Sequence, residues 1–200
     1  MDLVLSFNNS ANLLTDARQI IDKTKELAFR SVNVAMLQRN WYLGKRISEE
    51  ILQGEDRAEY GSQVILQLSK ELTEIYGKGF TKSYLYNFVR FYKTFPNIFQ
   101  SPIGQSKLLS WTHYNLLLDV SNDEARAWYA DEAYREGWSV RTMQRNISSQ
   151  YYHRMLLSQH KEGVREEMKQ LTAPMQADKL EFIKNPVVAE FLGLAPNSDL

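Results

Sequence analysis

Lys82, Ser83, Tyr86, Asn87, Arg90 and Lys93 follow one another at steps of one and three residues, which sets them along one side of a helix. Their chemistry suits a nucleic acid. An Asn amide bonds bidentately to adenine, an Arg guanidinium to guanine, and a Lys ammonium to phosphate. Lys78 stands one turn ahead of the group. A second set, Arg141, Thr142, Gln144 and Arg145, is expected to face outward from another short helix and offers the same donors. Competing chemistry is scarce. His113, His153 and His160 show no metal-ligand spacing, and His113 in Ser-Trp-Thr-His-Tyr reads as a packed or capping residue. Gly77-Lys78-Gly79 is too short for a phosphate-binding loop, and no Gly-x-Ser-x-Gly elbow occurs. With no Cys, thiolate zinc sites, disulfides and cysteine nucleophiles are excluded. No catalytic residue, metal or cofactor is therefore expected. The aromatics between Tyr84 and Trp111 could stack on unpaired bases, but at helical spacing most belong to a core; Tyr86 is the one expected outside.

The elements that carry these groups are helices. Two hundred residues suit one domain, or one domain with an appendage. From Leu14 to Gln53, Ala17, Ile20, Ile21, Leu27, Ala28, Val32, Ala35, Met36, Leu43, Ile47 and Ile51 recur at three- and four-residue steps, the signature of one buried helical face. Gly44 inside that run predicts a joint. A second helix is expected over 60–75, with Val64, Leu68, Leu72 and Ile75 inward. A third starts after Thr81 as its cap, turns Leu85, Phe88, Val89 and Tyr92 inward, and closes at Pro96. Further helices are predicted over 105–118, 123–136 and 139–158. No convincing alternating strand appears. The chain reads as all-α.

Two helix-turn-helix candidates follow. In the first, Leu66 to Tyr92, Gly77 and Gly79 supply the turn and Phe80 packs back between the helices, leaving the Lys82–Lys93 group outward. In the second, Tyr129 to Ile147, a small Ala133 lets two helices approach, Gly137 takes the turn, Ser139 caps the next helix, and Met143 fills the space between them. The second has the better sequence form, but Asp131, Glu132 and Glu136 lie on its first helix, where a phosphate backbone would be repelled. The first is accordingly favoured for base contact and the second for supporting phosphate contacts. Plain helix packing is the alternative for both.

Charge is sorted along the chain although Lys+Arg and Asp+Glu balance at 24 each. Between Ile75 and Leu118 there is no acid, while Lys78, Lys82, Arg90, Lys93 and Lys107 are all cationic. Asp119 to Glu136 is acidic. Gly137 to Lys161 is again acid-free and holds Arg141, Arg145, Arg154 and Lys161. Two basic segments could track a polyanion even when net charge is zero. Solvated helix faces are the alternative reading.

The strings YGKGFTKSYLYNFVRFY, LLSWTHYNLLLDV and EGWSVRTMQRNI, in this order, resemble the YhcG family. The resemblance covers about 17–158 and implies an all-α, winged-helix-type N-terminal region followed by a PD-(D/E)XK nuclease domain. It implies a DNA-binding module of a nuclease system, of restriction, defence or mobile-element type. The tail KNPVVAEFLGL is similar to the segment that leads into the nuclease, and the chain stops there. Its sole D/E-x-K triplet, Glu167-Met168-Lys169, has no strand before it, so the chain is expected not to be an enzyme by itself. Residues 1–160 are expected as the DNA-binding-type domain and 161–200 as helical linker and tail. DNA is the expected partner, with a homodimer or a nuclease domain or subunit as further possibilities. A protein-interaction scaffold that docks a nuclease subunit is the alternative function. MDLVLSFNNS has neither basic leader nor apolar core, and no run of 18 apolar residues exists, so a soluble cytoplasmic protein is expected.

Overall fold

The computed structural model describes residue 7 and residues 9–53, 57–100 and 108–175. Eight α-helices run through them: α1 (Leu13–Gln53), α2 (Arg57–Tyr76), α3 (Lys82–Thr94), α4 (Trp111–Leu118), α5 (Asp123–Glu136), α6 (Val140–Ser148), α7 (Tyr151–Leu157) and α8 (Lys161–Thr172), with 3-10 turns at Lys78–Phe80 and Ala173–Met175. No strand occurs among the described residues, so the fold is all-α and no β-wing is seen there.

One continuous core ties the helices together. It joins Leu37, Trp41 and Ile47 of α1, Ile65 of α2, Leu85, Phe88 and Phe91 of α3, Trp111, Tyr114 and Leu117 of α4, Tyr129 and Ala133 of α5, and Met143, Tyr151, Met155 and Met168 of α6–α8. Each large side chain removed from water in this way contributes about 1.5–3 kcal/mol. The α3 helix lies across the C-terminal half of α1, which it contacts more extensively than any other element. The Trp41 indole N–H donates to the Phe95 carbonyl at 3.0 Å, fastening α1 to the end of α3. Gly44 is no joint. It is buried inside an unbroken helix at the point where α3 passes.

Several expectations shift by a residue or a turn. In α1 the buried apolar positions begin only at Met36, although Asp16 is buried in the first turn; Ile20 and Ile21 are exposed. In α2 Leu68 and Leu72 pack against the core as expected, but the buried apolar residue is Ile65, and Ile75 is 68 % exposed; Gly61 lies against Ile51 of α1. Thr81 occupies the cap position of α3 but its hydroxyl does not cap. Phe88 and Phe91 are the fully buried aromatics of that helix, and Tyr92 is only partly buried. Of the helix expected over 105–118, residues 105–107 lie outside the described residues and 108–110 are not helical; α4 begins at Trp111, where the Ser110 hydroxyl accepts from the His113 N–H. The 139–158 helix is two helices. Gln150 adopts a left-handed conformation (φ 54°) between them. Ser148 and Ser149 donate to the Arg145 and Asn146 carbonyls, local bonds that compete with helix continuation.

The α8 helix is held on the body by buried Met168 and by two ion pairs, Arg154–Glu167 at 2.5 Å and Lys169–Glu136 at 3.4 Å. Glu167 and Lys169 thus answer different partners on a helix. The apolar cluster of the tail lies outside the described residues.

Candidate nucleic-acid interface

The α3 helix keeps its buried side, Leu85, Phe88, Val89 and Phe91, against the core, and this leaves Lys82, Ser83, Tyr86, Arg90 and Lys93 exposed and Asn87 half-buried along the other side. Lys78 is exposed in the 3-10 turn before it. The row is not chemically uniform. The Lys82 ammonium sits 5.8 Å from the Tyr86 ring centre, and the Tyr86 hydroxyl lies 3.3 Å from Ser62 of α2. Arg90 is committed elsewhere. Its guanidinium donates to the Leu118 carbonyl at 2.6 Å and to the Asp119 carboxylate at 3.0 Å, and more weakly to the Asn87 side-chain oxygen at 3.4 Å. It therefore satisfies a free carbonyl at the C-terminus of α4, where a cation also suits the helix dipole. The turn ahead of α3 uses only Gly77 at positive φ (90°); Gly79 lies within the 3-10 turn. Phe80 packs on Tyr76 with ring centres 5.8 Å apart, under the Arg39 guanidinium.

The second motif forms a tight bihelical unit. Ala133 is 1 % and Met143 0 % exposed. Gly137 closes α5 in the left-handed region (φ 62°, ψ 41°), a conformation that costs a residue with a Cβ about 1–2 kcal/mol. One residue after Trp138, the Ser139 hydroxyl accepts from the Thr142 N–H at 3.0 Å and starts α6. Buried Thr142 and Asn146 join Met143 on the inner side, so Thr142 does not face outward as expected. Arg141, Gln144 and Arg145 are exposed on the outer side. Tyr129 locks the unit from within: its hydroxyl donates to the Asn146 carbonyl at 3.2 Å and accepts from the Tyr152 N–H at 3.0 Å. Burial pushes that phenol's pKa up, which keeps the donor proton in place.

The acids of α5 are compensated. Glu132 is buried and pairs with Arg135, Asp131 lies 3.9 Å from the same guanidinium, and Glu136 meets Lys169 of α8. The repulsion expected at this motif is reduced accordingly.

Between the two rows stands α4, packed on α3 through Phe88–Trp111 and Phe91–Tyr114 ring contacts at 5.4 and 5.1 Å. Its other partner is the turn of the bihelical unit. The His113 Nε2 lies 3.0 Å from the Trp138 carbonyl and Nδ1 lies 2.6 Å from the Ser110 hydroxyl. A carbonyl only accepts, so Nε2 carries the proton and Nδ1 accepts from Ser110. Burial holds the imidazole below its ordinary range, in keeping with this neutral form. Sequence reasoning foresaw a packed or capping His113 but not its reach to Trp138. Nor did it foresee that Ser139 donates to the Met175 carbonyl at 2.5 Å, which sets the end of the described chain beside the start of α6.

The fold and the outward rows define an all-α domain built around a bihelical turn unit. A family model, the DUF1016 N-terminal domain, matches residues 16–154, and the chain belongs to that family. It is 34 % identical over 205 residues to a curated Escherichia coli (strain K12) protein named "Putative nuclease YhcG", an alignment covering 88 % of this chain and 54 % of the relative. The chain thus spans about half the length of that relative. No solved structure matches it. The expectation that the chain is not an enzyme is corrected by this relative, which carries the name of a nuclease and shares the chain's family. No helix among the described residues is long and apolar enough to cross a membrane.

Proposed function

We propose that this chain is the DNA-binding part of a nuclease-related protein, with α6 as the helix that enters the major groove. The observation that carries this reading is the bihelical unit itself: small Ala133, left-handed Gly137, capping Ser139 and buried Met143 make a short turn that presents Arg141, Gln144 and Arg145 on the outer side of α6. The side-chain types fit the partner. Arg reads guanine and Gln reads adenine by paired bonds. Lys78, Lys82 and Lys93, with Ser83, Tyr86 and Asn87 between them, supply phosphate and sugar contacts from the second row. Arg90 supports that row from the α4 C-terminus. The relative's name agrees with a polynucleotide as the partner, and residues 1–160 are read as the unit that makes these contacts.

Fluorescence anisotropy with labelled duplex and branched DNA at several salt concentrations tests this. Affinity should fall steeply with salt, and the double change Arg141→Ala, Arg145→Ala should weaken it at least tenfold without altering helicity. No binding at low salt, or the same affinity in the double variant, would remove α6 from the role. An interaction scaffold remains the second reading, favoured by the long exposed half of α1.

A further inference from the structure

The first half of α1 stands away from the rest of the protein. From Ala17 to Ala35 no residue is buried, although Leu13, Leu14 and Ile21 are 85 %, 62 % and 52 % exposed. Apolar and small residues recur there at alternating four- and three-residue steps: Leu13, Ala17, Ile20, Thr24, Leu27, Ser31, Val34. This is a heptad seam a little over three repeats long, the span at which such a pattern signals a coiled coil. At about 100° per residue it stands opposite Met36, Asn40, Gly44 and Ile47, while its row of larger residues (Leu13, Ile20, Leu27, Val34) leads by one further heptad to buried Trp41, where the seam runs into the body. The two polar members are already satisfied. The Thr24 hydroxyl bonds the Ile20 and Ile21 carbonyls at 2.9 Å, and the Ser31 hydroxyl bonds the Leu27 carbonyl at 2.9 Å. Covering them strands no donor.

We infer that this seam pairs with the same seam of a second copy, running antiparallel and centred on Asp22. Size decides the direction. One set of seam positions holds only small residues (Ala17, Thr24, Ser31) and the other only larger ones (Leu13, Ile20, Leu27). Antiparallel pairing about Asp22 sets Leu13 against Ser31, Ala17 against Leu27 and Ile20 against Thr24 of the other copy, so every layer combines a large and a small side chain. Parallel pairing would stack small on small and leave voids, which cost stability. Among the flanking charges, Lys23 meets itself at the exposed centre, and Asp16, though level with Arg30 of the other copy, is buried and already bonded by Ser10, so size and not charge sets the direction. Length is compatible as well: the overlap runs from Leu13 to Ser31 and ends just before Asn33, whose amide donates to the Leu109 carbonyl at 2.9 Å where the body begins. The argument is independent of the DNA reading.

The absence of Cys makes the arrangement testable by single thiols. Sedimentation equilibrium at tens of micromolar should give twice the chain's mass, and Ile20→Asp with Thr24→Asp should give the single mass with helicity and thermal midpoint retained. A short bis-maleimide should link Ile21→Cys to itself, because the two Ile21 positions face each other. It should not link Leu14→Cys to itself, since those positions stand about 21 Å apart along the axis at 1.5 Å per residue. A mixture of Leu14→Cys and Ala28→Cys should link. A monomeric parent chain, a dimer that survives the double Asp variant, or Leu14→Cys linking as fully as Ile21→Cys would each overturn the proposal. The last result would mean a parallel pair.

Discussion

A Cβ placed on Gly44 would stand 2.0 Å from the Phe88 carbonyl oxygen, so α1 and α3 cross with their backbones in contact. Elsewhere in a helix interior, exchanging Gly for Ala gains about 1 kcal/mol. Here the added methyl meets main chain, which cannot rotate away, and the whole of α3 must lift. Gly44→Ala should destabilise the protein by about 2 kcal/mol or more in denaturant unfolding. A gain in stability would show that the helices do not approach this closely.

His113 makes folding sensitive to acid. Its pKa is lowered in the folded state because burial disfavours the imidazolium. Below the ordinary imidazole value of about 6.5 the unfolded chain takes up the proton first, so stability is present above that pH and is lost as pH falls towards the folded value. His113→Gln should lose about 1–2 kcal/mol at pH 8 and show a flatter decline between pH 7 and 5 than the parent chain. Parallel declines in the two proteins would mean that His113 titrates alike in both states.

Arg90 and Lys93 lie one helical turn apart on the same row and should behave differently. Replacing Arg90 by Ala removes the partner of the Leu118 carbonyl and should cost about 1 kcal/mol in urea unfolding, discounted for an exposed ion pair. Lys93→Ala should leave the unfolding midpoint unchanged. It should lower the salt slope of DNA binding by about 0.9, the value of one phosphate contact. Equal effects of the two changes on stability would dismiss the Arg90 assignment.

Tyr129→Phe deletes one oxygen that both donates to Asn146 and accepts from Tyr152. It leaves a buried N–H without a partner and should lower stability by about 1–3 kcal/mol with no change in helix content. Hydrogen exchange should quicken at Tyr152 before it does at Leu117. Unchanged exchange there would show that another group serves the amide.

The sequence made the helices legible where punctuation was local. Gly137 and Ser139 place the end of α5 and the start of α6, since capping and left-handed turns depend on neighbouring residues alone. The outward row of α3 was legible for the same reason, by subtracting an apolar side. What could not be read was which helix covers which. The α1 spacing runs apolar throughout, yet only its second half is buried, because burial depends on where α3 lies and no periodicity records that. The uses of Arg90 and His113 were hidden likewise. Each bond spans more than 20 residues, to Leu118 and to Trp138. A slight signal existed for His113, which follows Ser110 at the capping distance of three. For Arg90 there was none beyond the acid-free run ending at Leu118.

With Arg90 gripping its last turn and His113 anchoring its first, α4 behaves as the fixed beam of a calliper whose jaws are α3 and α6. The beam is eight residues, about 12 Å, and offers one setting. Inserting or deleting a single residue in it would swing one jaw by about 100° relative to the other, so its length is far less free to drift than that of a surface loop.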